Sequence, residues 1–210
     1  MGDVILHGYF RSSATWRVRI ALALKGIAYQ RKSYALLKGE QHSQAYLRMN
    51  PQGLVPALEI DGLVLTQSYA ICEYLDETRP DPPLLGKTPG ERAQVRAFAL
   101  AIACDIHPLQ NLRVLQAIKA DLGSERSSRW AADVNREGLT ACAAMIPDDG
   151  RPFCFGDRPS LADVFLIPQM GNARRYGVDI EWPQLARIEA HCLGLPAFAE
   201  SAPDRQPDAT

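Results

Sequence analysis

The sequence lacks both a charge excess and a long apolar run, and each absence excludes a class of protein. Its 23 basic and 24 acidic residues leave a formal net charge of -1, so no long-range field attracts nucleic acid or an anionic membrane surface. No apolar stretch approaches the roughly 18 residues that a membrane helix needs. We therefore predict a soluble globular protein that binds neither nucleic acid nor membranes.

Paired cysteines are also missing. The chain has five cysteines, an odd number, with no Cys-x-x-Cys pair and no zinc-ligand spacing. They are Cys72, Cys104, Cys142, Cys154 and Cys192. This pattern predicts free thiols in a reducing compartment and no metal site. Because Asp3 stands where a signal peptide would carry basic residues, the expected location is the cytoplasm.

Apolar patterning in the first 80 residues predicts a mixed sheet with helices packed on it. The pattern gives a strand, a helix, a strand, a short helix, two strands and a helix. The last two strands flank Asp61-Gly62, a strong hairpin signal, and Ser68 is predicted to cap the final helix. The predicted bounds are residues 4–8, 15–26, 28–34, 43–49, 57–60, 63–66 and 68–75.

A proline-rich segment divides the chain into two predicted domains. Pro80, Pro82, Pro83 and Pro89 cannot continue a helix and suit a semi-rigid linker. The predicted domains are residues 1–80 (α/β), 81–89 (linker) and 90–210 (all-helical). Helical periodicity covers about 91–120, 125–145, 161–173 and 184–192. Ser160 to Asp163 is a capping box, and the tail from Ser201 is expected to fray.

The loop Arg11-Ser12-Ser13 precedes the first helix and is a candidate site for an anion. A helix N-terminus offers unpaired N–H groups and partial positive charge, which favour a thiolate, and a serine hydroxyl can donate to the sulfur. Such surroundings lower the pKa of a thiol from about 8.5 toward neutrality. The alternative is that one serine is only a helix cap.

Two further features suit a small anionic peptide. A cis bond at Val55-Pro56 would turn the chain and free the backbone of Val55 for an extended ligand. Gln67-Ser68 ends a strand and starts a helix, so it could hold a carboxylate or could be a bare cap. Arginines grip carboxylates in a bidentate manner. The candidates Arg11, Arg113, Arg174 and Arg175 could instead be surface residues, and His107 could be a buried, hydrogen-bonded side chain.

Several motifs together resemble the zeta class of glutathione transferases over essentially the whole chain. They are Tyr9-Phe10-Arg11-Ser12-Ser13, Trp16 to Leu22, Asn50 to Pro56, Gln67-Ser68, Ile106 to Leu115 and Asn172 to Arg175. The resemblance implies a thioredoxin-like first domain, a helical second domain, the glutathione transferase fold, glutathione as cofactor and a homodimer.

The resemblance also implies roles for individual residues. Ser12 is expected to support the glutathione sulfur within a catalytic group that includes Ser13 and Arg11, and Ser13 is the expected helix cap. The implied glutathione ligands are Ser12, Gln41, His42, Val55, Gln67, Ser68 and Gln110, and the implied carboxylate ligands are Arg11, Arg175 and Arg113. The chain departs from many members at Ala14, where they have cysteine. The only thiol expected at the reaction is therefore that of glutathione.

The implied activity is the cis-trans isomerisation of maleylacetoacetate to fumarylacetoacetate in aromatic amino acid catabolism, through the tyrosine, phenylalanine or homogentisate routes. Three alternatives stay open. One is maleylpyruvate isomerase, which runs the same chemistry on a smaller acid. A second is a transferase acting on α-halo acids, and a third is a transferase-like interaction module without activity.

Overall fold

The computed structural model describes residues 3–209, which fall into two compact units. The first unit runs to Pro83 and also takes the segment from Leu195 onward, and the second is Leu84–Gly194. The sequence prediction ended the first domain at residue 80 and left everything after residue 90 with the helical domain. The C-terminal segment therefore lies on a different unit from the one predicted.

The first unit has the predicted order β-α-β-α-β-β-α. Its elements are β1 (Ile5–Gly8), α1 (Ser13–Leu24), β2 (Gln30–Ser33), α2 (Gln44–Met49), β3 (Ala57–Ile60), β4 (Leu63–Thr66) and α3 (Ser68–Thr78). The sheet order is β2-β1-β3-β4. Strand β1 is parallel to β2 and antiparallel to β3, and β3 and β4 form an antiparallel hairpin. The predicted mixed sheet is confirmed.

Two local features explain this arrangement. Asp61 and Gly62 have φ of 52° and 77°, as the tight turn of a two-residue hairpin requires. At the end of β1, a Cβ on Gly8 would lie 2.3 Å from Cγ2 of Thr15. Only glycine lets the strand approach α1 so closely, and this approach fixes the loop that carries Ser12 and Ser13.

The second unit consists of helices. They are α4 (Pro89–Leu100), α5 (Leu112–Leu122), α6 (Ser124–Met145), α7 (Leu161–Arg175) and α8 (Pro183–Leu193). The capping box at the start of α7 is confirmed, with Oδ2 of Asp163 accepting the Ser160 N–H at 2.8 Å. None of the helices described, in either unit, is long and apolar enough to cross a membrane.

The single helix predicted over 91–120 is wrong, because the chain breaks between α4 and α5. It passes through a π-helical turn at Ala101–Ile106 and a 3-10 turn at His107–Gln110. Pro108 has no backbone N–H to continue the helical ladder. Helix α5 then starts afresh, with Oδ1 of Asn111 accepting the N–H of Val114 at 3.2 Å.

The C-terminal segment is ordered and belongs to the first unit. It contains α9 (Pro196–Ala199), with Phe198 fully buried, and Nε of Arg19 donates to the carbonyl of Ser201 at 2.9 Å. The buried Gln206 donates to two carbonyls of the same segment. The prediction of a frayed tail is therefore wrong for the residues up to 209. Thr210, like Met1 and Gly2 of the predicted cytoplasmic start, lies outside the described residues.

Candidate active site

The β-sheet register brings three sequence-predicted features of the first unit to one end of the sheet. His7, Ala57 and Thr66 are aligned across β1, β3 and β4. At this end of the sheet the chain leaves β1 toward Ser12 and enters β3 after Val55. It also leaves β4 here and continues into Gln67-Ser68. The antiparallel pairing alone therefore gathers them at one end of the sheet.

Ser12 is the N-cap of α1. Its Oγ accepts the N–H of Thr15 at 3.1 Å. A hydroxyl that accepts through its oxygen keeps its own hydrogen to donate. The first turn of α1 contains no acidic residue, so nothing in that turn neutralises the partial positive charge at the helix start. This arrangement can stabilise a thiolate.

The prediction that Ser13 caps α1 is wrong. Ser13 is the first residue of the helix and is buried, because Ser12 takes the extended conformation that a cap requires. Ser12 therefore combines the cap with an available hydroxyl. Arg11, just before it, is exposed, with its guanidinium carbon 5.9 Å from the ring centre of Phe10.

The backbone of Val55 is open to a ligand. The Val55-Pro56 bond is cis. Between residues 3 and 209, neither the N–H nor the C=O of Val55 takes part in a hydrogen bond. An extended peptide could therefore use both groups, as a neighbouring strand would.

Gln67 connects β4 to α3 in a strained conformation. Its φ is 68° and its ψ 116°, a region that non-glycine residues rarely occupy and that marks functional sites. Ser68 is the first residue of α3, so the prediction that it caps this helix is wrong. Its buried Oγ instead accepts from Nη1 of Arg17 at 3.3 Å. The guanidinium of Arg17 thus lies behind a helix start that also lacks acidic residues.

Gln41 and His42 lie in the 3-10 turn Glu40–His42. Gln41 is buried, and among the described residues its Oε1 has no hydrogen-bond partner. Such an atom is costly unless something pairs with it. The exposed ring of His42 lies against Gly53, where a Cβ would come 2.6 Å from Nδ1.

The second unit holds a connected set of polar side chains at the end of α7. Nδ2 of Asn172 donates to Oε1 of Gln110, and Oδ1 of Asn172 accepts from Nη1 of Arg175 at 3.2 Å. Gln110 and Asn172 are buried, whereas Arg175 is exposed. We refer to Gln110, Asn172 and Arg175 as the polar chain. It presents a guanidinium oriented by an amide.

The other candidates of this unit are Arg174, Arg113 and His107. Arg174 pairs through both Nη atoms with the carboxylate of Glu189, so both of its terminal nitrogens are already engaged. Arg113 is exposed on the first turn of α5, and His107 is half-buried.

Arg17 in the first unit and Asn172 in the second were missed as partners of predicted site residues. The sequence signal for Arg17 is a charged residue within the segment predicted as the first helix. In the structure every residue of α1 from Ser13 to Leu22 is buried. For Asn172 the signal is a polar residue three positions before Arg175, one helical turn away.

The two units are typical of one class of enzyme: an α/β unit whose helices α1 and α3 begin without acidic residues, followed along the chain by an all-helical unit. The model of the glutathione S-transferase N-terminal domain matches residues 2–77, and that of the C-terminal domain matches residues 129–194. The chain belongs to the glutathione S-transferase family. The predicted fold is thereby confirmed.

Relatives point to one branch of the family. The chain is 46% identical to the maleylacetoacetate isomerase of Mus musculus over 210 residues, covering 99% of this chain and 95% of that protein. A solved maleylpyruvate isomerase, a bacterial zeta-class transferase, is 39% identical with a TM-score of 0.94, covering 98% and 100% of the two chains. Maleylacetoacetate isomerase from Anaeromyxobacter dehalogenans 2CP-1, with bound dicarboxyethyl glutathione and citrate, is 40% identical with a TM-score of 0.88, covering 99% and 98%. The resemblance to the zeta class is confirmed.

Proposed function

We propose that this chain is a glutathione-dependent cis-trans isomerase that converts maleylacetoacetate to fumarylacetoacetate. Glutathione is its cofactor. The observation that carries the proposal is Ser12, whose Oγ accepts the N–H of Thr15 at 3.1 Å and keeps its proton for a sulfur. Relatives named maleylacetoacetate isomerase share 46% of residues over nearly the whole chain, which supports the substrate.

The chemistry is a reversible addition. The glutathione thiolate forms a C–S bond with one carbon of the cis double bond, and the displaced π electrons pass to the conjugated carbonyl as an enolate. The former double bond is now single and rotates. The enolate then re-forms the double bond and expels the thiolate, so that glutathione is not consumed.

The residues of the first unit bind and activate the cofactor. Ser12 and the start of α1 stabilise the thiolate. Val55 pairs with the cysteinyl unit, Gln67 and Ser68 hold the γ-glutamyl end, and Gln41 and His42 hold the glycine end. The unpartnered Oε1 of Gln41 can accept the glycyl N–H of glutathione, which supports this last assignment.

The arginines bind the substrate. Arg11 and Arg175 take the two carboxylates, and their charge stabilises the developing enolate. Gln110 is a further proposed ligand of glutathione. Arg113 is the weakest member of the proposed set, because the polar chain orients Arg175 and not Arg113.

No protein thiol takes part in the proposed reaction. Ala14 stands next to the serine pair, and burial raises the pKa of Cys72 and of Cys142 to about 12. Cys104 is the exposed cysteine. All five cysteines are free, which supports the further proposal that the protein works in the cytoplasm.

Maleylpyruvate isomerase is the second candidate, favoured by the TM-score of 0.94 to a solved enzyme of that name. A spectroscopic assay with each acid, with and without glutathione, separates the two. We expect turnover of maleylacetoacetate to exceed that of maleylpyruvate, to require glutathione and to leave its concentration constant. Stoichiometric loss of glutathione would instead indicate a transferase, and failure to bind a glutathione matrix would indicate an interaction module.

A homodimer completes the proposal. Strand β4 is an edge strand of the sheet, and its Leu63 and Val64 are 47% and 49% exposed. Exposed apolar residues on an edge strand suit a surface that a partner covers. Sedimentation of the wild type should give twice the chain mass of 23.2 kDa. A Leu63→Lys, Val64→Lys double variant should shift the protein toward monomer, whereas a Leu122→Lys variant at another exposed leucine should not.

A further inference from the structure

The carbonyl of Leu54, directly before Val55, is held by two buried side chains. The hydroxyl of Tyr46 donates to it at 2.7 Å, and Nδ2 of Asn50 donates to it at 2.7 Å. Tyr46 is 1% exposed and Asn50 2% exposed. Two buried donors on one loop carbonyl fix its direction, because turning it would leave both donors unpaired.

That carbonyl belongs to the same peptide plane as the N–H of Val55. The Leu54–Val55 peptide is trans, so its C=O and N–H point in opposite directions. Holding the carbonyl inward therefore turns the N–H of Val55 outward. We propose that Tyr46 and Asn50 are positioning residues for glutathione, which aim the Val55 N–H at the cysteinyl carbonyl. The inference rests on the proposed role of Val55.

Tyr46 is itself supported from behind. Its ring packs edge-on against Tyr34, with centroids 4.5 Å apart. The hydroxyl of Tyr34 takes no part in this packing: it shares a hydrogen bond of 2.9 Å with Nδ1 of His7, whose Nε2 lies 2.6 Å from Oε1 of Glu59. Burial raises the pKa of the Tyr46 phenol, which keeps it protonated as a donor.

Asn50 makes the segment up to Leu54 a closed turn. Its N–H donates to the carbonyl of Tyr46 at 2.8 Å, and its C=O accepts from Gly53 at 3.0 Å. Its Oδ1 accepts the N–H of Gln52 at 3.1 Å. With Nδ2 on Leu54, each polar atom of Asn50 makes a hydrogen bond. Rotating the Leu54–Val55 peptide would break the one to Leu54.

The first test removes one hydroxyl. Tyr46→Phe keeps the ring and deletes the donor to Leu54, whereas Tyr34→Phe deletes the neighbouring hydroxyl, which does not reach this loop. Titration calorimetry with glutathione should show binding weakened about fivefold by Tyr46→Phe, the usual effect of one lost hydrogen bond. Tyr34→Phe should leave the affinity within about twofold of the wild type. Thermal unfolding of both variants measures the loss of stability separately.

A ligand pair distinguishes positioning from a general loss of structure. γ-Glutamylcysteinamide carries the carbonyl that the Val55 N–H would meet, and γ-glutamylcysteamine lacks it. The wild type should prefer the first ligand by about fivefold, and Tyr46→Phe should lose most of that preference, as in a double-mutant cycle. A purely structural role would weaken both ligands equally and leave the preference unchanged.

The outcomes separate this inference from the proposed function. Wild-type preference for the carbonyl ligand that survives in Tyr46→Phe overturns the positioning role and leaves the proposed function intact. A wild type that prefers neither ligand but still binds glutathione overturns it as well. A wild type that does not bind glutathione at all overturns the proposed function, and this inference with it.

Discussion

The two units build their candidate binding groups from different parts of the chain. In the first unit backbone groups stand beside side chains such as the Ser12 hydroxyl: they are the start of α1, the Val55 peptide and the turn at Gln67. In the second unit they are side chains, linked from Gln110 through Asn172 to Arg175. Backbone groups change only if the fold changes, whereas a side chain changes with one substitution.

This difference suits the two ligands of the proposed reaction. Glutathione is the same molecule for every acid that the enzyme could isomerise, and the groups proposed to bind it in the first unit are fixed by strand register and helix starts. The acid is the variable partner, and the flexible side chain of Arg175 can adapt to it. Substitutions in the first unit other than at Arg11 should therefore affect thiol chemistry, and substitutions at Arg11 or in the polar chain should affect recognition of the acid.

The largest expected effect is that of Ser12→Ala. Loss of the hydroxyl removes the proposed donor to the thiolate, and turnover should fall about 100-fold, as for other donors to a reactive anion. Glutathione should still bind. The ultraviolet absorbance of the bound thiolate, followed against pH, should show a higher thiol pKa in the variant.

Ser12→Ala also removes a helix cap, so its control must do the same elsewhere. Ser160→Ala deletes the cap of α7 in the second unit and should cost a comparable amount of stability, about 1 kcal/mol, without changing the thiol pKa. Ser12→Thr keeps both hydroxyl and cap and should restore turnover. Full activity in Ser12→Ala would contradict the assignment.

The second effect is that of Arg175→Ala, which should raise the KM for the acid about tenfold through loss of a charge-assisted contact. The KM for glutathione should not change. Arg174→Ala is a matched control one residue away, because that arginine is engaged by Glu189. Equal effects of the two variants on the acid KM would remove the distinction between them.

The sequence was sufficient for the features that local patterns determine. Alternation of apolar residues and the Asp61-Gly62 turn predicted the element order of the first unit, and the motif around Val55 and Gln67 predicted which groups would meet. Their meeting depends on register, which the hairpin turn fixes. The family resemblance named the rest of the candidate site, including Gln110.

Features that depend on distant contacts, or on local signals that compete with one another, could not be predicted. The break before α5 needed more than helical periodicity, because Pro108 and the Asn111 cap compete with an otherwise continuous pattern. The C-terminal segment looked frayed because its composition is polar, yet a buried Arg19 holds the Ser201 carbonyl. Between the two serines, only the backbone conformation decides that Ser12 is the cap, because either residue type can fill that position.

A third, smaller effect concerns Asn172, which orients Arg175 without being proposed to touch the acid. Asn172→Ala should raise the acid KM about threefold, since one neutral hydrogen bond is lost and the guanidinium remains. In the double variant with Arg175→Ala, the second substitution should add almost nothing, because its effect passes through the arginine. Fully additive effects would show that Asn172 acts independently of Arg175.

The smallest expected effect is on the pH dependence of stability, and it belongs to the first unit. Burial lowers the pKa of His7 from 6.5, although Glu59 opposes the shift. Between pH 6.5 and the lower folded-state pKa, His7 is protonated in the unfolded chain but not in the folded chain. The free energy of unfolding therefore falls as the pH falls through this range. His7→Gln removes this contribution, and its stability should decline less steeply with acidification than that of the wild type. Urea unfolding at a series of pH values between about 7 and 5 measures both slopes over the range in which histidine titrates.

The control for this prediction is Asn172→Ala. The amides of the polar chain do not titrate, so this variant should keep the wild-type slope. A steeper slope in His7→Gln than in the wild type would reverse the sign argued here.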